Sequence, residues 1–413
     1  VAPLVGHSVL RLWVMGQAAT ERTATATETA EMQSLLRQCL DAGAIGLSTS
    51  FVDMDEKLQP VPSRYADHAE LDALCAVLAE YNRILQVVHE FYDIDLTIGR
   101  IDQLAELSLT HKITTTLSPL FINRGDFEGV DRVIARIVEQ NAAGARVWPQ
   151  VQTRPIDISF CFAVPSLLFI RLRGWYRVMR FGTPATIMAA FQDETQRQQL
   201  VQEATSMMPL WSTLILRQVQ TEANQQYVGK TLAEIAELRG TDALNAMIDL
   251  SLEESLDAHF ISADMGHNDD DKVGSMLRHP HVMIGASDGG AHILSFSTYG
   301  DTGYLLGHFV RDKQLLSMEE AIKKITSDTA DIWAIPDRGL LKSGYIADIT
   351  IFDANTIDRG PEYYVQDVPG DGHRYVRDAI GVETVIIGGA VAYDHLQGYS
   401  DEHRGQVIGA PQR

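Results

Sequence analysis

The chain has 413 residues, with 55 acidic against 34 basic side chains and a formal charge of −21 at pH 7. That length suits one large domain plus a small second one. With 45% hydrophobic and 22% charged residues, 31 Gly and 14 Pro, the composition excludes disordered, collagen-like and membrane classes, and the acidic balance excludes nucleic acid as a partner.

The opening residues, Val1-Ala2-Pro3-Leu4-Val5-Gly6-His7, have no basic n-region, apolar h-region or initiator Met. The sequence is therefore expected to begin within a domain rather than at a signal peptide. From Thr27 the pattern is helical to about Ala42, and Gly43 breaks it before the short apolar run Ala44 to Ser50, the usual form of a buried parallel strand. The same unit repeats as a helix near His68 to Tyr81 before Ile84 to Phe91, and a helix near Gly99 to Leu109 before Ile113 to Leu120. A further helix, Phe127 to Asn141, precedes Val147 to Val151. Parallel strands joined by helices predict an α/β sheet.

Residues 154–252 break this rhythm with an aromatic and basic patch around Trp175-Tyr176-Arg177, and read as an insertion over the sheet's mouth. The longest apolar stretch, Ala163 to Ile170, is far shorter than the roughly 20 residues a membrane span needs. Leu167 to Met179 suits either a lid or a contact between copies in a homo-oligomer. The rhythm is expected to resume at His259-Phe260-Ile261-Ser262, pass a helix near Asp270 to Leu277 and reach Val282 to Asp288. After Pro336, Gly-punctuated segments such as Ile349 to Asp353 and Val382 to Ile387 predict a small β domain. About six barrel strands are legible, with a seventh in the opening residues, where a (β/α)₈ barrel needs eight. Three cysteines, Cys39, Cys75 and Cys161, with no C-x-x-C pair, suggest neither a disulfide framework nor a cysteine-only zinc site, and fit a reducing, cytoplasmic setting.

The C-terminal ends of parallel strands face the active site in a barrel. The sharpest feature there is Gly285-Ala286-Ser287-Asp288-Gly289-Gly290-Ala291-His292. Asp288 is placed to ligate a metal or move protons on a metal-bound water, although Asp before Gly-Gly also makes an ordinary turn. His89, after Ile84 to Val88, shares that geometry as a metal ligand, against the plainer role of a packed histidine. His279-Pro280-His281 lies at the opposite end of its strand, and His267 with Asp264, Asp269, Asp270 and Asp271 reads as a solvated helix N-terminus. Arg64, in Pro62-Ser63-Arg64-Tyr65, could clamp a substrate carboxylate or make a surface ion pair.

Gly6-His7-Ser8-Val9-Leu10-Arg11, Asp41 to Ser50, Pro62 to Tyr65 and His279 to His292, in this order, resemble successive motifs of the N-acyl-D-amino-acid deacylases in the amidohydrolase superfamily. Arg338-Gly339-Leu340-Leu341-Lys342-Ser343-Gly344-Tyr345-Ile346-Ala347-Asp348-Ile349 resembles the superfamily's return into its small β-sandwich. The resemblance implies an amidohydrolase-type (β/α)₈ barrel, lacking its first strands, over residues 1–335, with an insertion at about 154–252 and a β-sandwich portion over 336–413. It implies hydrolysis of the amide bond of an N-acylated D-amino acid by a zinc-activated hydroxide, with one or two zinc ions. Asp288 would be catalytic and a metal ligand, His89 the nearest match to the strand-five histidine, and Ser287, His292 and Arg64 would bind substrate. The family's strand-one H-x-H and its ligating cysteine would precede Val1, and Leu117-Ser118-Pro119 stands where a strand-six histidine is common. Cyclic-amide hydrolysis of the hydantoinase kind, or a non-catalytic binding paralogue, are the alternatives.

Overall fold

Most strands of the main sheet follow a helix with its own start signal. The computed structural model describes residues 1–55, 59–91, 93–122, 127–155, 157–164, 166–263, 266–285, 287, 300–370 and 372–408. The chain begins with β1 (Leu4–Gly6), α1 (His7–Met15), α2 (Ala26–Asp41) and β2 (Gly46–Ser50). α2 starts a residue before Thr27 because Thr25 and Glu28 form a capping box: each side chain accepts a hydrogen bond from the other's backbone N–H. α3 (His68–Glu80), capped by Asp67, leads to β3 (Ile84–Val88). α4 (Ile94–His111) starts five residues earlier than its apolar pattern suggested, because Asp93 accepts from the amides of Asp95 and Leu96. β4 (Thr115–Leu120), α5 (Phe127–Ala142) and β5 (Val147–Val151) complete the run.

Strands β1 to β5 pair in parallel in chain order. Period-two alternation divides the sheet into two faces. Leu47, Leu85, Val87, Leu117, Val147 and Val151 belong to the buried apolar cluster that includes residues of α2 to α5. The other parity carries polar side chains bonded across strands: Ser48 to Gln86 (2.7 Å), Gln86 to Ser118 (3.0 Å) and Gln150 to Thr116 (2.9 Å).

The insertion is a unit with its own core. β6 (Ile158–Phe160), the helices α6 to α11 (Arg173–Phe181, Pro184–Gln192, Glu194–Ala204, Met208–Thr213, Leu232–Arg239 and Ala243–Glu253), β7 (Ile215–Gln218) and β8 (His259–Ser262) surround a second buried cluster. Phe160, Phe162, Phe169, Trp175 and Phe191 meet there ring against ring, so the expected aromatic patch is interior at Trp175. β8 was expected to rejoin the parallel sheet. Instead it pairs antiparallel between β6 and β7; a fully buried four-residue run does not encode which sheet it enters.

After α12 (Asp270–Arg278), β9 (Met283–Ile284) joins the parallel sheet beside β5, giving six strands. Short helical segments over 301–332 follow, then a β-rich region. Its strands are β10 (Ile349–Phe352), β11 (Asp358–Arg359), β12 (Tyr363–Val368), β13 (Gly372–Val376), β14 (Ala379–Ile380), β15 (Val382–Ile387), β16 (Ala390–Asp394) and β17 (Gly398–Tyr399). β10, β15, β16 and β17 make one sheet, and β11–β14 and β12–β13 make two-stranded pairs, which fits the expected small β domain. No helix among the described residues is long and apolar enough to cross a membrane.

Candidate active site

Where the parallel strands end, their next residues gather on one rim. After β1, His7 bonds Thr49 (2.9 Å) through Nδ1 and Glu70 (2.8 Å) through Nε2, and Arg11 pairs with the same carboxylate. All four side chains are buried. Burial works against the Glu70 charge, but His7 and Arg11 outweigh it and hold the carboxyl below its ordinary value. Both nitrogens of His7 are thus engaged, and this group braces α1 against β2 and α3.

His89 follows β3 with 1% exposure. Its Nε2 lies 3.0 Å from the carbonyl oxygen of Pro119, at the end of β4. A carbonyl only accepts, so Nε2 carries the proton and Nδ1 presents its lone pair; Nδ1 is buried without a hydrogen-bond partner. Burial pushes His89 down to about 4, with the Pro119 carbonyl and the Glu90 charge opposing. The imidazole is therefore neutral at neutral pH, the state and tautomer a metal ligand requires. Pro119, which cannot itself ligate, thus serves by orienting His89. Its neighbour Glu90 is held by Arg100 (2.9 Å), whose guanidinium lies over the Phe51 ring.

Arg64 stays at the end of β2. Its Nη1 donates to the carbonyls of Val52 (3.2 Å) and Asp53 (3.4 Å), so part of the guanidinium braces its own loop. Ser287 is exposed after β9, and Arg154 Nη2 donates to its carbonyl (3.3 Å). Asp288 and His292 lie outside the described residues. His279 and His281 sit before β9, at the strand's other end, where Lys324 Nζ donates to the carbonyls of His279 and Val282.

Two rim residues escaped the sequence reading. Arg154 ends the run Gln152-Thr153-Arg154 after β5, is 2% exposed, and reaches Asp301 (3.3 Å) as well as Ser287. Burial raises the Asp301 carboxyl and the Arg154 charge opposes the rise. The strand-end rule that selected His89 selects Arg154 equally. His267 is the other. Asp269 caps α12 as expected, yet His267 is separate from that solvated turn. It is 2% exposed, has backbone φ +56°, and lies 4.9 Å from the Phe121 ring beyond β4. Neither ring nitrogen has a hydrogen-bond partner; the Leu120 carbonyl lies near enough only to offset part of the burial effect, which, with the Arg154 charge, takes His267 down to about 3. Gly266 makes this packing feasible, since a Cβ there would stand 2.0 Å from the Phe121 ring.

The rim of a parallel sheet at its strands' C-terminal ends is where a barrel of this kind carries its active site, and the family model described as "Amidohydrolase family" matches residues 185–393. The chain belongs to that family. Among its relatives, an N-acyl-D-glutamate deacylase of Alcaligenes xylosoxydans xylosoxydans is 26% identical across 100% of this chain and 71% of its own length. A D-aminoacylase of the same organism is 25% identical across 98% of this chain and 69% of its own length. The fold matches a solved N-acyl-D-glutamate deacylase from Bordetella bronchiseptica, complexed with zinc and a phosphonate inhibitor, at TM-score 0.63, 23% identity, and coverage of 99% of this chain and 72% of that one. A solved D-aminoacylase matches at TM-score 0.60, 22% identity, over 98% and 70%. The deacylase resemblance drawn from the motifs is thereby borne out.

Proposed function

We propose that the protein is a metal-dependent hydrolase of N-acyl-D-amino acids, with zinc as the metal and His89 and Asp288 among its ligands. Two relatives matched along nearly the whole chain are an N-acyl-D-glutamate deacylase and a D-aminoacylase, and the single observation that carries the site is the neutral, unpartnered Nδ1 of His89. Zinc in such a site polarises the carbonyl and activates water. Catalytic zinc takes about three protein ligands, so His89 and Asp288 are part of a set. His267 offers a further neutral imidazole near the end of β4.

The chain's own groups would do the rest. Asp288 accepts the proton of the attacking water and returns it to the leaving amine. Arg154 and Arg64 are assigned the substrate carboxylate in this reading, and Ser287 and His292 further contacts to the substrate. Residues 1–335, with the insertion, form the catalytic unit in this reading, and 336–413 the β unit.

The test is an assay of the full-length protein against N-acetyl-D-glutamate, N-acetyl-D-aspartate and neutral N-acetyl-D-amino acids, with metal analysis. Asp288→Asn is expected to abolish turnover while leaving the circular dichroism spectrum unchanged, and His89→Ala to lower bound zinc. Turnover retained in Asp288→Asn removes that residue from the mechanism. No turnover and no zinc in the parent protein favours a binding paralogue, the reading to which Ser118-Pro119 on β4 points.

A further inference from the structure

Among the described residues, one group of Cys, His and carboxylate side chains is close enough to hold a metal ion, and none of its members is a rim residue. Cys161 follows β6, Asp257 precedes β8 and His259 begins it; their ligand atoms all lie within 4.8 Å of one another. We propose that Cys161, Asp257 and His259 form a second metal site, for zinc or a similar thiolate-preferring divalent ion, that fastens the insertion to the β12–β13 hairpin.

The ligand chemistry fits. Tetrahedral zinc holds its ligand atoms roughly 3.5 Å apart, so small side-chain shifts suffice. His259 Nε2 now sits 2.8 Å from Asp257 Oδ1, and an ion between them would be bound by both. The outer contacts a metal site needs are already in place. His259 Nδ1 is hydrogen-bonded to the Tyr375 hydroxyl on β13, and the other Asp257 oxygen accepts from Gln220 Nε2 (2.8 Å). The Cys161 sulfur accepts from the backbone amides of Ala163 and Val164, the donors that suit a thiolate. Binding displaces the Cys161 proton to solvent and leaves a sulfur–metal bond, with no change in oxidation state.

A nucleophilic Cys–His–Asp arrangement is the competing use of these residues. It fails on access: Cys161 is 2% exposed, and burial pushes its thiol up to about 11. Asp257 is partly exposed, its side chain at 41%, and gives an ion an entry path without admitting an organic substrate. The aromatic rings of Tyr364 and Tyr375 close the inner side around His259.

The test uses full-length protein stripped with chelator and titrated with Co²⁺, read by thiolate-to-cobalt charge-transfer absorption and by bound cobalt per chain. Cys161→Ser is expected to lose one equivalent and the matching absorption, whereas His89→Ala should keep that absorption and lose only metal held at the rim. Tyr375→Phe should weaken that equivalent roughly 10- to 100-fold. Asp257→Asn, a change at a partly exposed position, should lose the same equivalent and carries the test if Cys161→Ser does not fold. Identical stoichiometry and spectra in the parent, Cys161→Ser and Asp257→Asn proteins would overturn the proposal, as would a parent protein without the band.

Discussion

His267 is a neutral imidazole buried against a phenylalanine ring, and that has a pH signature. Its folded value of about 3 lies below the ordinary histidine value, so at mildly acidic pH the unfolded chain binds a proton that the folded chain does not. Its contribution to stability is fully present above about pH 6.5 and is lost as pH falls toward 3. In metal-free protein, urea unfolding at pH 6.5 and pH 5 should show a loss of about 2 kcal/mol from this residue, and His267→Gln should flatten that slope. An unchanged slope would mean that His267 is solvated in the folded protein. Arg154 makes a second prediction at this scale. Arg154→Met should raise KM for the D-amino acid product's N-acyl form far more than it lowers kcat if the guanidinium binds the substrate carboxylate, whereas comparable changes in both would assign it to holding Asp301 and Ser287 in place.

At the level of elements, the α2 capping box and the Glu70 cluster carry separable energies. Thr25→Ala removes one partner of the box and should cost about 1 kcal/mol in chemical denaturation. Glu70→Ala leaves Arg11 buried and unpaired and should cost about 3 to 5 kcal/mol; a loss under about 1 kcal/mol would show that water replaces the carboxylate. Helices such as α3 and α5 and strands β2 to β5 were legible because periodicity, caps and glycine stops agree on them. β8 was not, because Phe260 and Ile261 are equally at home in a parallel barrel strand and in the insertion's antiparallel sheet. His89 could be found from its place after a strand. His267 could not, since its acidic neighbours describe a solvated turn and the Phe121 contact that buries it arises only in three dimensions. The Cys161 group was invisible for the same reason: Cys161 is 96 residues from Asp257 by number, and β6–β8 pairing brings them together.

Among the described residues there are two apolar cores, one around the parallel sheet and one inside the insertion, and the insertion is tied to the C-terminal β region by largely buried polar contacts, Ser159 to Glu362 (2.6 Å) and Arg377 to Asp157 (3.6 Å). Phe162→Ala should cost about 3 to 5 kcal/mol and, in calorimetry, shift an unfolding transition reported by Trp175 and Trp211 fluorescence while leaving a second transition in place. One transition moving as a whole would show the two cores to be a single cooperative unit. The pairing of Ile158 with Ser262 has a practical corollary. The excursion leaves and returns through one doorway two neighbouring strands wide, inside the positions of Arg154 and His267. A chimera joined at 158 and 262 could therefore exchange this cassette for another relative's, or for a tight hairpin, and leave the catalytic rim with its own sequence on both sides of the graft.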